Sequence, residues 1–135
     1  MALFVWNEKY SVGVREMDTQ HKVLVDIINE LYQAMQENRS KEIVGPIISK
    51  LVNYTKTHFT NEERYMEKYG YPELASQKRE HIAFVDKITG YKNDFEAGKV
   101  AMTVGMTSFL KDWLINHISG IDKKYGPFFN EKGLH

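Results

Sequence analysis

The chain has 135 residues, 42% of them hydrophobic, which suits one domain with its own core. Its 18 Lys and Arg balance 18 Asp and Glu, so no excess positive charge is available to neutralise phosphates, which argues against nucleic acid as a main partner. Cysteine is absent, which removes disulfides, thiolate metal sites, a cysteine nucleophile and covalent haem attachment. The stretch Met1–Lys9 lacks the basic-then-apolar pattern of a secretory signal, and no apolar run reaches membrane-spanning length. The expectation is a cytoplasmic protein with no membrane contact.

Residues 1–16 show no helical period. Phe4, Val5, Trp6 and Tyr10 make this an apolar extended arm, with Trp6 as a packing anchor. Four helices follow, predicted over about 18–38, 41–69, 73–97 and 100–120. Asp18 is placed to cap the first. Its apolar seam runs Met17, His21, Leu24, Ile28, Leu31, Met35, in steps of four and three. It fades near Asn38, and Ser40 can cap the second helix. There the seam runs Ile43, Ile47, Leu51, Tyr54, His58, Glu62 (or Asn61), Tyr65. Pro46 falls in its early turns. Gly70 and Pro72 end it. The third seam is Leu74, Gln77, His81, Phe84, Ile88, Tyr91, Phe95, closed by Gly98. The fourth is Met102, Met106 (or Gly105), Phe109, Trp113, His117. Gly126-Pro127 is expected to stop the chain. Phe128 and Phe129 form a tail that packs on the bundle or on a second chain, and His135 is solvated. Similar helix lengths and short loops predict an all-α, up-down-up-down antiparallel four-helix bundle, with nothing in the sequence demanding more than a monomer.

Each seam points one histidine inward: His21, His58, His81 and His117. A single seam histidine has a plain explanation, a core imidazole bonded to a neighbour. Four such accidents, with carboxylates beside them, are harder to accept than one shared metal site. His58 and Glu62 lie four residues apart, on one helix face. His117 and Asp122 lie five apart, about 140° around an ideal helix, so a widened turn or the helix end near Gly120 must bring them together. Imidazoles and carboxylates without thiolates suit iron or manganese and accept zinc. Two carboxylates able to bridge favour two metals over one. Gln77 is a buried amide in an otherwise apolar row, and it needs partners.

The chain resembles the bacterial hemerythrins across nearly its whole length. The resemblance is carried by Trp6 with Ser11-Val12-Gly13-Val14, Asp18-Thr19-Gln20-His21-Lys22, His58-x-x-x-Glu62-Glu63, Gly70-Tyr71-Pro72, and Trp113-Leu114-Ile115-Asn116-His117 followed by Asp122. It implies two non-haem iron ions bridged by carboxylates and an oxo or hydroxo group. His21 and His58 would ligate one iron and His81 and His117 the other, with Glu62 and Asp122 bridging. In the family that second iron has a further histidine four residues before His81; here the position is Gln77. Three outcomes follow: the amide carbonyl ligates, water takes its place, or that iron is lost. A plainer role is filling space while bonding Glu62 or a bridging water. The resemblance implies a dioxygen pocket walled by Leu24, Phe59, Trp113, Leu114 and Ile118, residues that ordinary core packing explains equally well. Reversible dioxygen binding for storage, delivery or sensing is the leading expectation, and the protein is then not an enzyme. The alternatives are a di-iron redox enzyme acting on oxygen, peroxide or nitric oxide, and a metal store or metal-stabilised bundle.

Overall fold

The computed structural model describes residues 4–37, 41–98 and 102–135. Within them, α1 (Arg15–Gln36), α2 (Lys41–Tyr69), α3 (Leu74–Glu96) and a fourth segment beginning with α4 (Met102–Trp113) form a four-helix bundle. α1 packs on α2 and α4, α2 on α3, and α3 on α4. The expected polar turn at Asn38 and cap at Ser40 lie outside the described residues, as does the Met102 side chain. Gly70 ends α2 in the left-handed region at φ 73. Tyr71 N–H bonds back to the Met66 carbonyl and Gly70 N–H to that of Glu67, so two carbonyls of the last turn find donors.

The seams bury His21, His58, Glu62, Gln77, His81 and His117 as expected. On α2 the early seam is one residue off. Ile43 is 39% exposed while Val44 is buried. The buried row runs Val44, Ile48, Leu51, Thr55, His58, Glu62, and these four-three steps keep one face turned to the core along the helix. Reading the row from Ile43 takes two steps of four in succession, which drifts off that face.

Two further expectations are corrected. Asp18 does not cap α1. The helix starts at Arg15, and the Asp18 carboxylate reaches back to accept Ser11 Oγ–H at 2.5 Å and Val12 N–H at 2.8 Å, pinning the arm. Nor does Gly126-Pro127 stop the chain. The fourth segment continues through a wide π turn (Leu114–Ile121), a 3₁₀ turn (Asp122–Lys124) and α5 (Tyr125–Glu131). Pro127 is the third residue of α5, where its missing N–H would have had no partner within that helix.

The aromatic tail packs inward. Phe129 is buried among Tyr65, Tyr69, Tyr71 and Tyr125. The arm lies on α1, with Phe4 N–H donating to Asn29 Oδ1 at 3.0 Å and Asn29 Nδ2 donating to the Phe4 carbonyl at 2.7 Å. Trp6 packs at the edge of the core against Tyr10.

Where α5 crosses the arm, the backbones nearly touch. A Cβ on Gly126 would stand 1.9 Å from the Val12 carbonyl oxygen, with a backbone that cannot swing aside as a side chain would. Gly126→Ala is therefore expected to cost about 1–3 kcal/mol by forcing the two segments apart. Gly120→Ala, with no atom within 4 Å of its Cβ position, serves as the control. Thermal unfolding checks this: a lower midpoint for Gly126→Ala alone is expected, and equal midpoints would contradict the close crossing.

Candidate metal centre

Apolar side chains collect in two clusters. One holds Leu24, Ile28, Phe59, Phe84, Leu114 and Ile118 among others. The other holds Val12, Met17, Met66, Tyr71, Tyr125 and Phe129. On each helical segment the chain passes from one cluster to the other through polar residues: His21 between Met17 and Leu24, Glu62 between Phe59 and Met66, Gln77 and His81 between Tyr71 and Phe84, Asp122 between Ile118 and Tyr125, with His58 and His117 at the edge of the first cluster. The result is one buried polar layer across the bundle.

The layer contains two groups of possible metal ligands. His21, His58 and Glu62 form one, and His81, His117 and Asp122 the other, with ligand atoms within 4.8 Å of one another in each. The groups touch. His21 Nε2 lies 3.4 Å from Glu62 Oε2 and 3.2 Å from Asp122 Oδ2. Glu62 Oε1 lies 3.3 Å from His58 Nε2 and 3.4 Å from His81 Nε2. His117 Nε2 lies 3.0 Å from Asp122 Oδ1. The π turn joins the last two residues: Asp122 N–H bonds to the His117 carbonyl, a five-residue closure that brings two positions 140° apart on an α-helix onto one side.

Partners behind the layer set the tautomers. His58 Nδ1–H donates to Gln20 Oε1 at 2.6 Å, and His81 Nδ1–H to Glu63 Oε2 at 2.7 Å. Each bond leaves the Nε2 atom facing inward. His21 and His117 have no such outer partner among the described residues. Phe59 stacks on His81 at 3.9 Å and Trp113 on His117 at 4.3 Å, so flat apolar faces fix those ring planes. Tyr125 O–H donates to Glu62 Oε2 at 2.5 Å, and Gln77 Nε2 donates to Asp122 Oδ1 at 3.2 Å. Of the roles open to Gln77, the metal-free protein shows a hydrogen bond within the layer, made to Asp122 and not to Glu62.

Burial opposes every charge here, and mutual contact decides the outcome. At Glu62, burial favours the acid, but the imidazoles packed around it outweigh burial and hold it well below the usual carboxylate range. At Asp122, burial and the charge of Glu62 push up, and His117 and His21 bring it down. At His21, burial is outweighed by Asp122 and Glu62, which raise it to about 10. His58 is held down at about 4 by burial. Without metal, His21 is thus the internal counter-cation of two carboxylates.

The donor set fits a cation. Inward-facing His21 Nε2, His81 Nε2, His117 Nε2, Glu62 Oε1, Gln77 Oε1 and Asp122 Oδ2 are all buried, and none makes a well-directed hydrogen bond, although the histidine nitrogens stand within 3.0–3.4 Å of carboxylate oxygens. Groups left unmet cost about 1–3 kcal/mol each, and a cation among them, taking the place of the His21 proton, would give the donor atoms a common partner. Nitrogen and oxygen donors without sulfur suit iron, manganese or zinc.

The model of the hemerythrin HHE cation binding domain matches residues 12–129. The chain belongs to the hemerythrin family. It is 37% identical over 129 residues to the bacteriohemerythrin of Methylococcus capsulatus, covering 94% of this chain and 97% of that protein. Similarity extends to the myohemerythrin of Theromyzon tessulatum, 30% identical over 90% of each. Among solved structures, wild-type hemerythrin superposes with a TM-score of 0.86 at 34% identity, over 93% of this chain and 97% of the other. A point variant of hemerythrin gives 0.87, over 94% and 97%. Hemerythrin domains hold a di-iron centre, and the buried layer is where this hemerythrin gathers histidines and carboxylates.

Sequence reading missed Gln20, Glu63 and Tyr125 as supporting residues. Glu63 follows Glu62 directly, but its side chain points off the seam to the back of His81. Tyr125 lay beyond the expected helix end. If its hydroxyl holds Glu62, Tyr125→Phe leaves a buried carboxylate oxygen without its donor. The metal-free protein should lose about 1.5–3 kcal/mol, read as a lower urea midpoint with unchanged slope; an unchanged midpoint would contradict the role.

Proposed function

We propose that this hemerythrin binds dioxygen reversibly at a pair of iron ions held in the buried layer, acting as a carrier, store or sensor rather than an enzyme. His21 and His58 would hold one iron and His81 and His117 the other, with Glu62 and Asp122 placed to serve both. The observation that carries this is the pairing of two buried His/His/carboxylate groups in mutual contact, with their ligand atoms turned inward.

When bound, an iron pair there would supply the two electrons that reversible dioxygen binding draws on. The chain supplies the surroundings. Leu24, Phe59, Leu114 and Ile118 are buried and Trp113 half-buried in the apolar cluster on one side of the layer. They wall a dry pocket in which protons and water have poor access to reduced oxygen. Gln20 and Glu63 keep His58 and His81 in the ligating tautomer, and Tyr125 holds the second oxygen of Glu62.

We read the working unit as a monomer, since the aromatic tail is spent on its own bundle. Among the described residues no helix is long and apolar enough to cross a membrane. A redox enzyme at the same centre is the second reading; a cleft of about 300 Å³ lined by Glu80, Trp113 and His117 lies between α3 and α4.

Exposure of the anaerobic ferrous protein to air separates these readings. A coloured form that persists and is bleached by vacuum is expected. Immediate passage to the ferric form with peroxide released would replace the carrier reading by the redox enzyme. A colourless, unresponsive protein would leave only a metal store.

A further inference from the structure

Gln77 sits on α3 one turn before His81, 1% exposed, with its amide at the His81/His117/Asp122 group. Its Nε2 donates to Asp122 Oδ1, the same oxygen that His117 Nε2 approaches at 3.0 Å. Its carbonyl oxygen is buried with no partner. In this orientation the amide satisfies Asp122 and strands itself. A cation shared by Asp122 and His117 reverses that balance. The amide hydrogens, positive and beside Asp122 Oδ1, are then repelled by the ion, while the stranded oxygen is the atom the ion attracts. The two ends of a glutamine amide are nearly equal in size, so a half-turn about Cγ–Cδ exchanges them without disturbing the packing.

We propose that Gln77 is a two-position amide: it donates N–H to Asp122 in the metal-free protein and turns its carbonyl oxygen to the metal held by His81, His117 and Asp122 when the site is filled. This rests on the metal reading above. A neutral amide oxygen binds a borderline metal less firmly than imidazole nitrogen. That half of the pair is therefore the exchangeable half, and it releases its ion first.

Two measurements on the full chain test this with ferrous iron as the probe. Infrared difference spectra, iron-loaded minus metal-free, are taken on protein carrying ¹³C at the glutamine side-chain carbonyl. A downshifted amide band is expected in the wild type and absent from Gln77→Leu. Anaerobic release to a ferrous chelator is expected to be biphasic in the wild type. Gln77→His should slow the fast phase, and Gln77→Leu should speed it, by roughly tenfold or more. Two irons bound with an unmoved amide band, or wild-type release from Gln77→Leu, overturns the two-position amide while leaving the di-iron reading intact. Fewer than two irons bound, with the band unmoved, overturns both. The infrared result on the wild type stands even where a variant folds poorly.

Discussion

Two carboxylates and four imidazoles share one dry layer, and the rest of the structure follows from making that tolerable. An ionised carboxylate buried alone is prohibitively costly. Here neither Glu62 nor Asp122 is alone, because each of the four helical segments delivers a histidine to the same level. The bundle is what makes this possible. Rods of similar length, packed side by side, hold residues from distant parts of the chain at one height to within a few ångströms. The apolar clusters above and below the layer then keep water out of it.

The inner residues depend on less conspicuous ones behind them. Gln20 and Glu63 orient two rings by hydrogen bonds, and Phe59 and Trp113 orient two by stacking. Asp122 reaches the layer only because the fourth segment widens into a π turn. Beyond it the chain resumes as α5, whose Tyr125 returns to Glu62 and whose Gly126 lets the N-terminal arm cross at backbone distance. The arm, α5 and the polar layer thus form one connected unit at that end of the bundle.

Much of this was legible from residue spacing. Steps of four and three located the inward face at the histidine level of every helix and with it His21, His58, Gln77, His81 and His117, because helical period is a local property. The His117–Asp122 interval even announced a distorted turn, since five residues cannot share an α-helical face. What spacing could not show was anything decided by long-range contact. Asp18 looks like a helix cap in isolation, but the arm folds back and claims its carboxylate. Gly126-Pro127 looks like a stop, but the glycine is there for the crossing with Val12 and the proline falls where α5 asks for no N–H. Ile43 and Val44 are interchangeable by hydrophobicity, and only the registry of the whole helix selects Val44. Gln20, beside His21 in sequence, serves His58 on another helix, which no local pattern reports.

Diffraction from crystals of the iron-loaded protein, measured at the iron absorption edge, tests the central claim most directly. The account predicts two anomalous peaks in the polar layer, one beside His21 and His58 and the other beside His81 and His117, with Glu62 and Asp122 between them. A single peak, or none within that layer while the histidines keep their places, would contradict it.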